Sequence, residues 1–170
     1  GAFLRLRHLA AGGPVAAAAI KAAADAGRLA AQSARYDRAL LAGGRKADDI
    51  LETSMRGKKR KELRRLRSRL EDQGAVAFES LSSAGAIDLW ADDFLALEIS
   101  GWKGGAGTAL ASSKAGRGFF AAAIRRAFAA GSLDFHRLTL AGKPIAMIVN
   151  FIEKGAGYSF KIAYDEAHAR

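Results

Sequence analysis

The chain reads as an α+β fold, with helices set against a mostly antiparallel sheet. Two observations carry this reading, and composition permits it. Apolar residues recur at spacings of three and four in Ile87, Trp90, Phe94 and Leu97, and again in Phe119, Phe120, Ala123, Ile124, Ala127 and Phe128. The pattern then becomes strand-like over residues 133–140, 144–152 and 157–163, broken by Ala141-Gly142-Lys143 and by residues 153–156. Helices followed by a run of tight hairpins are the order expected of an α+β domain. Half of the 170 residues are apolar, ample for a packed core.

Each element has its own local justification. Residues 2–9 alternate through Phe3, Leu4, Leu6 and Leu9, which predicts a strand. Gly12-Gly13-Pro14 opens a helix with proline at its first position, and Gly27 closes it. Residues 28–41 read as a second extended segment, ending at Gly43-Gly44. Residues 46–55 and 58–72 predict consecutive helices interrupted near Gly57; Gly74 ends the second, and residues 75–81 are strand-like. A helix is expected from Ile87 to Trp102, with Asp88, Asp92 and Asp93 in its early turns, where carboxylates favour the helix dipole. After a glycine-dense loop the next helix stops at Gly131. In the last strand Tyr158, Phe160 and Ile162 should share one face, and Ser159, Lys161 and Ala163 the other. Residues 1–44 thus predict the end of an N-terminal β-α-β lobe, and residues 45–170 a second domain. The start at Gly1 and the stop at Arg170 point to a piece of a longer polypeptide.

Composition excludes several chemistries. There is no cysteine, hence no disulfide, thiolate metal site or thiol nucleophile. His8, His136 and His168 fall in separate elements without metal-ligand spacing. His136, in a predicted strand, suits either packing or a base. No nucleophile elbow, P-loop or dinucleotide fingerprint is present. No apolar run approaches a membrane span, and the short one at residues 15–20 is broken by Lys21 and lacks a secretory pattern. A cytoplasmic location fits these features.

The net charge of +10 is local. Between Arg56 and Arg69, the cations Arg56, Lys58, Lys59, Arg60, Lys61, Arg64, Arg65, Arg67 and Arg69 face a single acid, Glu62, and all but Arg56 fall in one predicted helix whose apolar stripe is Leu63, Leu66 and Leu70. Such a helix can be a solvated structural element. It can also meet phosphates of nucleic acid or an anionic membrane surface. No aromatic is interleaved with the cations as a base-stacking platform would require, so nucleic acid is the lesser reading.

The most informative stretch runs from Leu97 to Leu110, where an apolar helix ends at Trp102-Lys103 and glycines follow at 104, 105 and 107. Glycine allows close backbone approach to a ligand, at an entropic cost. The stretch reads as a binding edge or as a connector whose Trp plugs the core. Lys161 and Tyr164-Asp165-Glu166 end the last strand, a common place for functional groups. There a lysine can hold an anion and a carboxylate can take a proton, or both can form a plain polar turn.

Three strings occur together and in order: the basic helix from Lys58 to Leu70, Glu98-Ile99-Ser100-Gly101-Trp102-Lys103-Gly104 with Gly107-Thr108-Ala109, and Lys161-Ile162-Ala163-Tyr164-Asp165-Glu166. They resemble the acetyltransferase-like proteins linked to bacterial cellulose biosynthesis (the CelD type) within the GNAT superfamily, and more distantly the Fem-type aminoacyl transferases. The resemblance covers residues 46–170, and more loosely those before. It implies a GNAT-like mixed, mostly antiparallel sheet flanked by helices, and acyl transfer from acyl-CoA or acetyl-CoA to an amine or hydroxyl, without a metal, for envelope or exopolysaccharide synthesis. It further implies a saccharide or small-molecule acceptor and polysaccharide-synthesis partners. The CoA pyrophosphate would sit on a loop opening a helix, expected after residue 170, so no cofactor-binding residue is assigned here and the fragment alone is expected to be inactive. By position Trp102, Lys103 and Lys161 would bind substrate, while Tyr164 and Asp165 would serve catalysis. A GNAT-like binding module without catalysis is the alternative, and nucleic-acid binding through residues 56–69 another.

Overall fold

The computed structural model describes residues 3–7, 9–37 and 43–168. It divides into two compact units, Gly1–Ala47 and Asp48–Arg170. In the first, helix α1 (Pro14–Asp25) starts with proline in the first turn, and Gly27 follows it at φ +65°. The strands expected at 2–9 and 28–41 are not formed among the described residues. Phe3 and Leu4 are instead 88% and 83% exposed. Alternation alone cannot make a strand, because its N–H and C=O groups need a pairing neighbour. His8 and residues 38–42 lie outside the described residues.

The second unit contains α2 (Ala47–Ser54, beginning one residue before the division), α3 (Gly57–Glu71), β1 (Val76–Ser80), α4 (Ile87–Ser100) and α5 (Trp102–Gly105). Helix α6 (Lys114–Ala129) and strands β2 (Leu133–Leu140), β3 (Lys143–Glu153) and β4 (Ala156–Tyr164) complete it. The strands form one antiparallel sheet in the order β1-β2-β3-β4. Both hairpins of the meander turn on two residues with positive φ, Ala141-Gly142 (48° and 80°) and Lys154-Gly155 (50° and 77°). That backbone matches the right-handed strand twist.

Helices α4 and α6 pack on one face of the sheet. Fully buried Phe94 stacks on Phe120 with ring centroids 4.9 Å apart and meets Phe135 edge-on at 6.0 Å. Ile124, Met147 and Val149 close the core around them. Phe119, expected in the apolar stripe of α6, is 59% exposed and meets the Phe160 ring edge-on at 6.4 Å. At the sheet's β1 side Arg137 lies 4.4 Å over the Trp90 ring and pairs with Glu79 and Asp93 at 2.7 and 3.2 Å. Its charge is thereby matched where it enters the core.

Strand β4 does not alternate simply. Lys161 is opposite Val149 while Ser159 is opposite Asn150, so Phe160 is an inserted bulge residue. Phe160 and Lys161 therefore both lie on the helix side, where one meets Phe119 and the other Glu98. This corrects the expectation that they face opposite ways.

Candidate functional site

The site is built around the end of α4. This helix stops at Ser100, two residues earlier than the spacing predicts, because Gly101 turns extended and α5 begins at Trp102. A Cβ on Gly104 would overlap the Ile99 carbonyl, so only glycine lets α5 fold back so tightly. The glycine segment thus begins with a compact corner. The Trp102 N–H donates to Glu166 Oε1 at 2.7 Å, tying the corner to the residues following β4.

Beneath the corner lies Glu98, whose side chain is 0% exposed. Its Oε1 accepts from Lys103 Nζ and from Lys161 Nζ, each at 3.3 Å, and its Oε2 accepts from the Leu110 N–H at 2.7 Å. Lys103 Nζ also donates to the Ile162 carbonyl at 2.6 Å. One buried carboxylate therefore joins α4, α5, the turn before α6, and β4. The space enclosed by Glu98, Trp102, Lys103, Ala163 and Tyr164 amounts to about 10 Å³, which is scarcely room for one water. Trp102 is 59% exposed and does not plug the core.

A larger groove of about 340 Å³ lies beside this cluster. Leu70, Leu138, Ile145 and Ala146 give it apolar walls, and Tyr164, Asp165 and His168 a polar end. Asp165 is held by its backbone N–H to the Ile145 carbonyl at 2.8 Å, and its Oδ1 accepts from the Ala167 N–H at 3.0 Å. The turn this makes carries His168 to the groove.

Of the residues singled out in the sequence, Trp102, Lys103 and Lys161 come together around Glu98, whereas Asp165 faces the groove. Tyr164 borders both spaces. Sequence reasoning missed Glu98, Glu166 and His168 as parts of one arrangement. Glu98 was within reach, since it lies four residues after Phe94 and seven after Ala91, on the buried stripe.

The basic helix α3 has no buried residue. Arg65 pairs with Glu62 at 2.6 Å and Arg67 with Glu71 at 2.8 Å. The hydrogen bond from Arg65 holds the Glu62 carboxyl below its ordinary range. Arg60 turns back to the Glu52 and Met55 carbonyls at 3.0 and 3.1 Å, fixing the elbow after α2. Among the described residues no helix is long and apolar enough to cross a membrane, and no acidic or histidine cluster has metal-binding geometry.

The family model described as an acetyltransferase (GNAT) domain matches residues 57–170. Comparison with curated proteins and with solved structures gives no match.

Proposed function

The chain belongs to the GNAT acetyltransferase family, and from that premise we propose that it supplies the acceptor side of an acyl-CoA-dependent N- or O-acyltransferase. We place it among the CelD-type proteins of cellulose, exopolysaccharide or cell-envelope synthesis, on the cytoplasmic side where acyl-CoA is made. The observation carrying the proposal is the convergence of the α4–α5 corner and the end of β4 on Tyr164, beside a groove with an apolar wall and a polar end.

In this reading residues 45–170 form the transferase domain. The acceptor lies in the groove with its amine or hydroxyl toward Asp165 and His168. As its nitrogen or oxygen attacks the thioester carbonyl, His168 or Asp165 takes the acceptor proton. Collapse of the tetrahedral intermediate breaks the C–S bond, and the Tyr164 hydroxyl protonates the departing thiolate. Lys103 and Lys161 are balanced by Glu98 and by Glu166 at the Trp102 N–H, and their ammonium groups present donors to a polar part of the substrate. Trp102 offers a flat wall for a sugar or acyl chain. Positioning supplies much of the rate in such a reaction.

Release of free CoA thiol from acetyl-CoA, followed with saccharide and amine acceptors, tests the proposal. Tyr164→Phe and His168→Gln should each lower kcat by roughly tenfold or more with unchanged thermal unfolding. Undiminished turnover in both variants removes the groove from the mechanism. Failure of the natural protein to bind acyl-CoA favours the binding-module alternative.

A further inference from the structure

A second set of reactive side chains crosses the sheet on the face opposite α4 and α6. Ser80 of β1 and His136 of β2 are directly opposed in the register, as are Asp134 of β2 and Asn150 of β3. Ser80 Oγ lies 2.8 Å from His136 Nδ1, and His136 Nε2 lies 2.7 Å from Asp134 Oδ1. Asp134 Oδ2 in turn accepts from Asn150 Nδ2 at 2.9 Å. The Phe78 ring stacks on the imidazole at 5.2 Å, with an interplanar angle of 26°. Every rotatable group in the row is thus fixed by the next.

We propose that Ser80, His136 and Asp134 form a nucleophilic relay that accepts an acyl group from an activated ester or thioester. The roles follow from the hydrogen bonds. With Nε2–H donating to Asp134, Nδ1 is the acceptor for the Ser80 hydroxyl proton. An exposed nucleophile touching a base that a third group orients is the arrangement that activates a serine. Asn150 is a positioning residue, holding the Asp134 carboxylate toward the imidazole.

The surroundings suit an acyl ester. The Leu81 N–H bonds to the Phe135 carbonyl, so the Ser80 N–H points away from β2 to the free edge of the sheet. There it can donate to the oxygen of a carbonyl under attack by its own side chain. Along the same cross-strand row, Ile148 is opposite His136 and Ile162 is opposite Ile148, with Ile162 49% exposed. With Phe78 they offer an apolar platform for a short acyl chain. Three strand spacings, roughly 14 Å, separate β1 from β4, but the groove's Leu138 lies two residues along β2 from His136 on the same face. The relay therefore adjoins the Leu138 wall of the groove, and its chemistry does not rest on the function proposed for that groove.

The step balances without a further reagent. Ser80 Oγ bonds to the acyl carbon while its proton passes to His136 Nδ1. The intermediate then breaks its C–O or C–S bond, and His136 protonates the leaving alcohol or thiol. Water, giving its proton to His136, hydrolyses the acyl-serine to a carboxylic acid and restores the hydroxyl.

The test uses a fluorophosphonate probe and p-nitrophenyl acetate on the protein. The probe should label Ser80, located by peptide mass, and Ser80→Ala should abolish that labelling. His136→Gln should lower p-nitrophenyl acetate hydrolysis by about a hundredfold or more, and Asp134→Asn by about tenfold or more. Asn150→Ala should lower kcat more than it raises KM, as expected of a residue acting through Asp134. Labelling of Ser80 no faster than that of other exposed serines, or hydrolysis indifferent to His136→Gln, overturns the proposal. Ser80 is exposed, so Ser80→Ala separates loss of chemistry from loss of fold.

Discussion

Replacing Glu98 with Gln probes the junction on which the site depends. The substitution keeps the shape and leaves an amide oxygen to accept from the Leu110 N–H, but it removes the charge facing two ammonium groups at 3.3 Å each. Breaking a buried ion pair by neutralising one partner costs about 3–5 kcal/mol. Here the lysine side chains are 19% and 27% exposed and Lys103 keeps the Ile162 carbonyl, so part of that loss is recovered through water. The expected destabilisation is about 2–3 kcal/mol. Glu98→Ala adds an orphaned N–H at Leu110 and should approach ~4 kcal/mol. The lysines make the complementary case. Lys103→Met or Lys161→Met alone leaves one cation on the carboxylate and should cost about 1 kcal/mol, whereas the double variant strands Glu98 and should cost about 3–5 kcal/mol. Urea unfolding followed by tryptophan fluorescence and circular dichroism reads these differences. A Glu98→Gln protein within ~0.5 kcal/mol of the parent, the range of ordinary surface changes, would refute the junction. So would strictly additive lysine variants.

Two further outcomes follow from packing. Gly104→Ala must displace α5 from the Ile99 carbonyl and should cost about 1–3 kcal/mol, whereas Gly105→Ala, whose Cβ enters open space, should be close to neutral; thermal unfolding of the pair checks the contrast. Phe94→Ala removes a ring at the centre of the core, in contact with Phe120 and Phe135, and should cost about 3–5 kcal/mol in urea unfolding.

The parts of the fold legible in the sequence are those set by local periodicity and turn chemistry. The buried stripe Ile87, Trp90, Phe94, Leu97 and the two glycine-bearing hairpins were readable because each follows from a repeat of three to four or two residues. Among the described residues the strands expected near Phe3 and beyond Arg28 are not formed, for the complementary reason: pairing is non-local, and no local pattern guarantees a partner. The candidate site was half legible. Trp102, Lys103 and Lys161 could be named from their positions, but the residue that gathers them is an acid in an apolar stripe, which composition rules place outside. Phe160 escaped because a bulge leaves no signature in alternation. The hydrogen bonds joining Ser80, His136 and Asp134 needed the register of β1 against β2, which short strands do not specify by themselves.

The irregularity of β4 also bears on how sequences of different length should be compared with this one. A gap of one position at Phe160 would leave Ser159 opposite Asn150 and Lys161 opposite Val149, so a homologous chain shortened there keeps both ends of the strand in phase. A gap placed a few residues later would carry Lys161 through the sheet and away from its carboxylate. An alignment that ignores this point would misassign the ammonium group while still matching most of its neighbours.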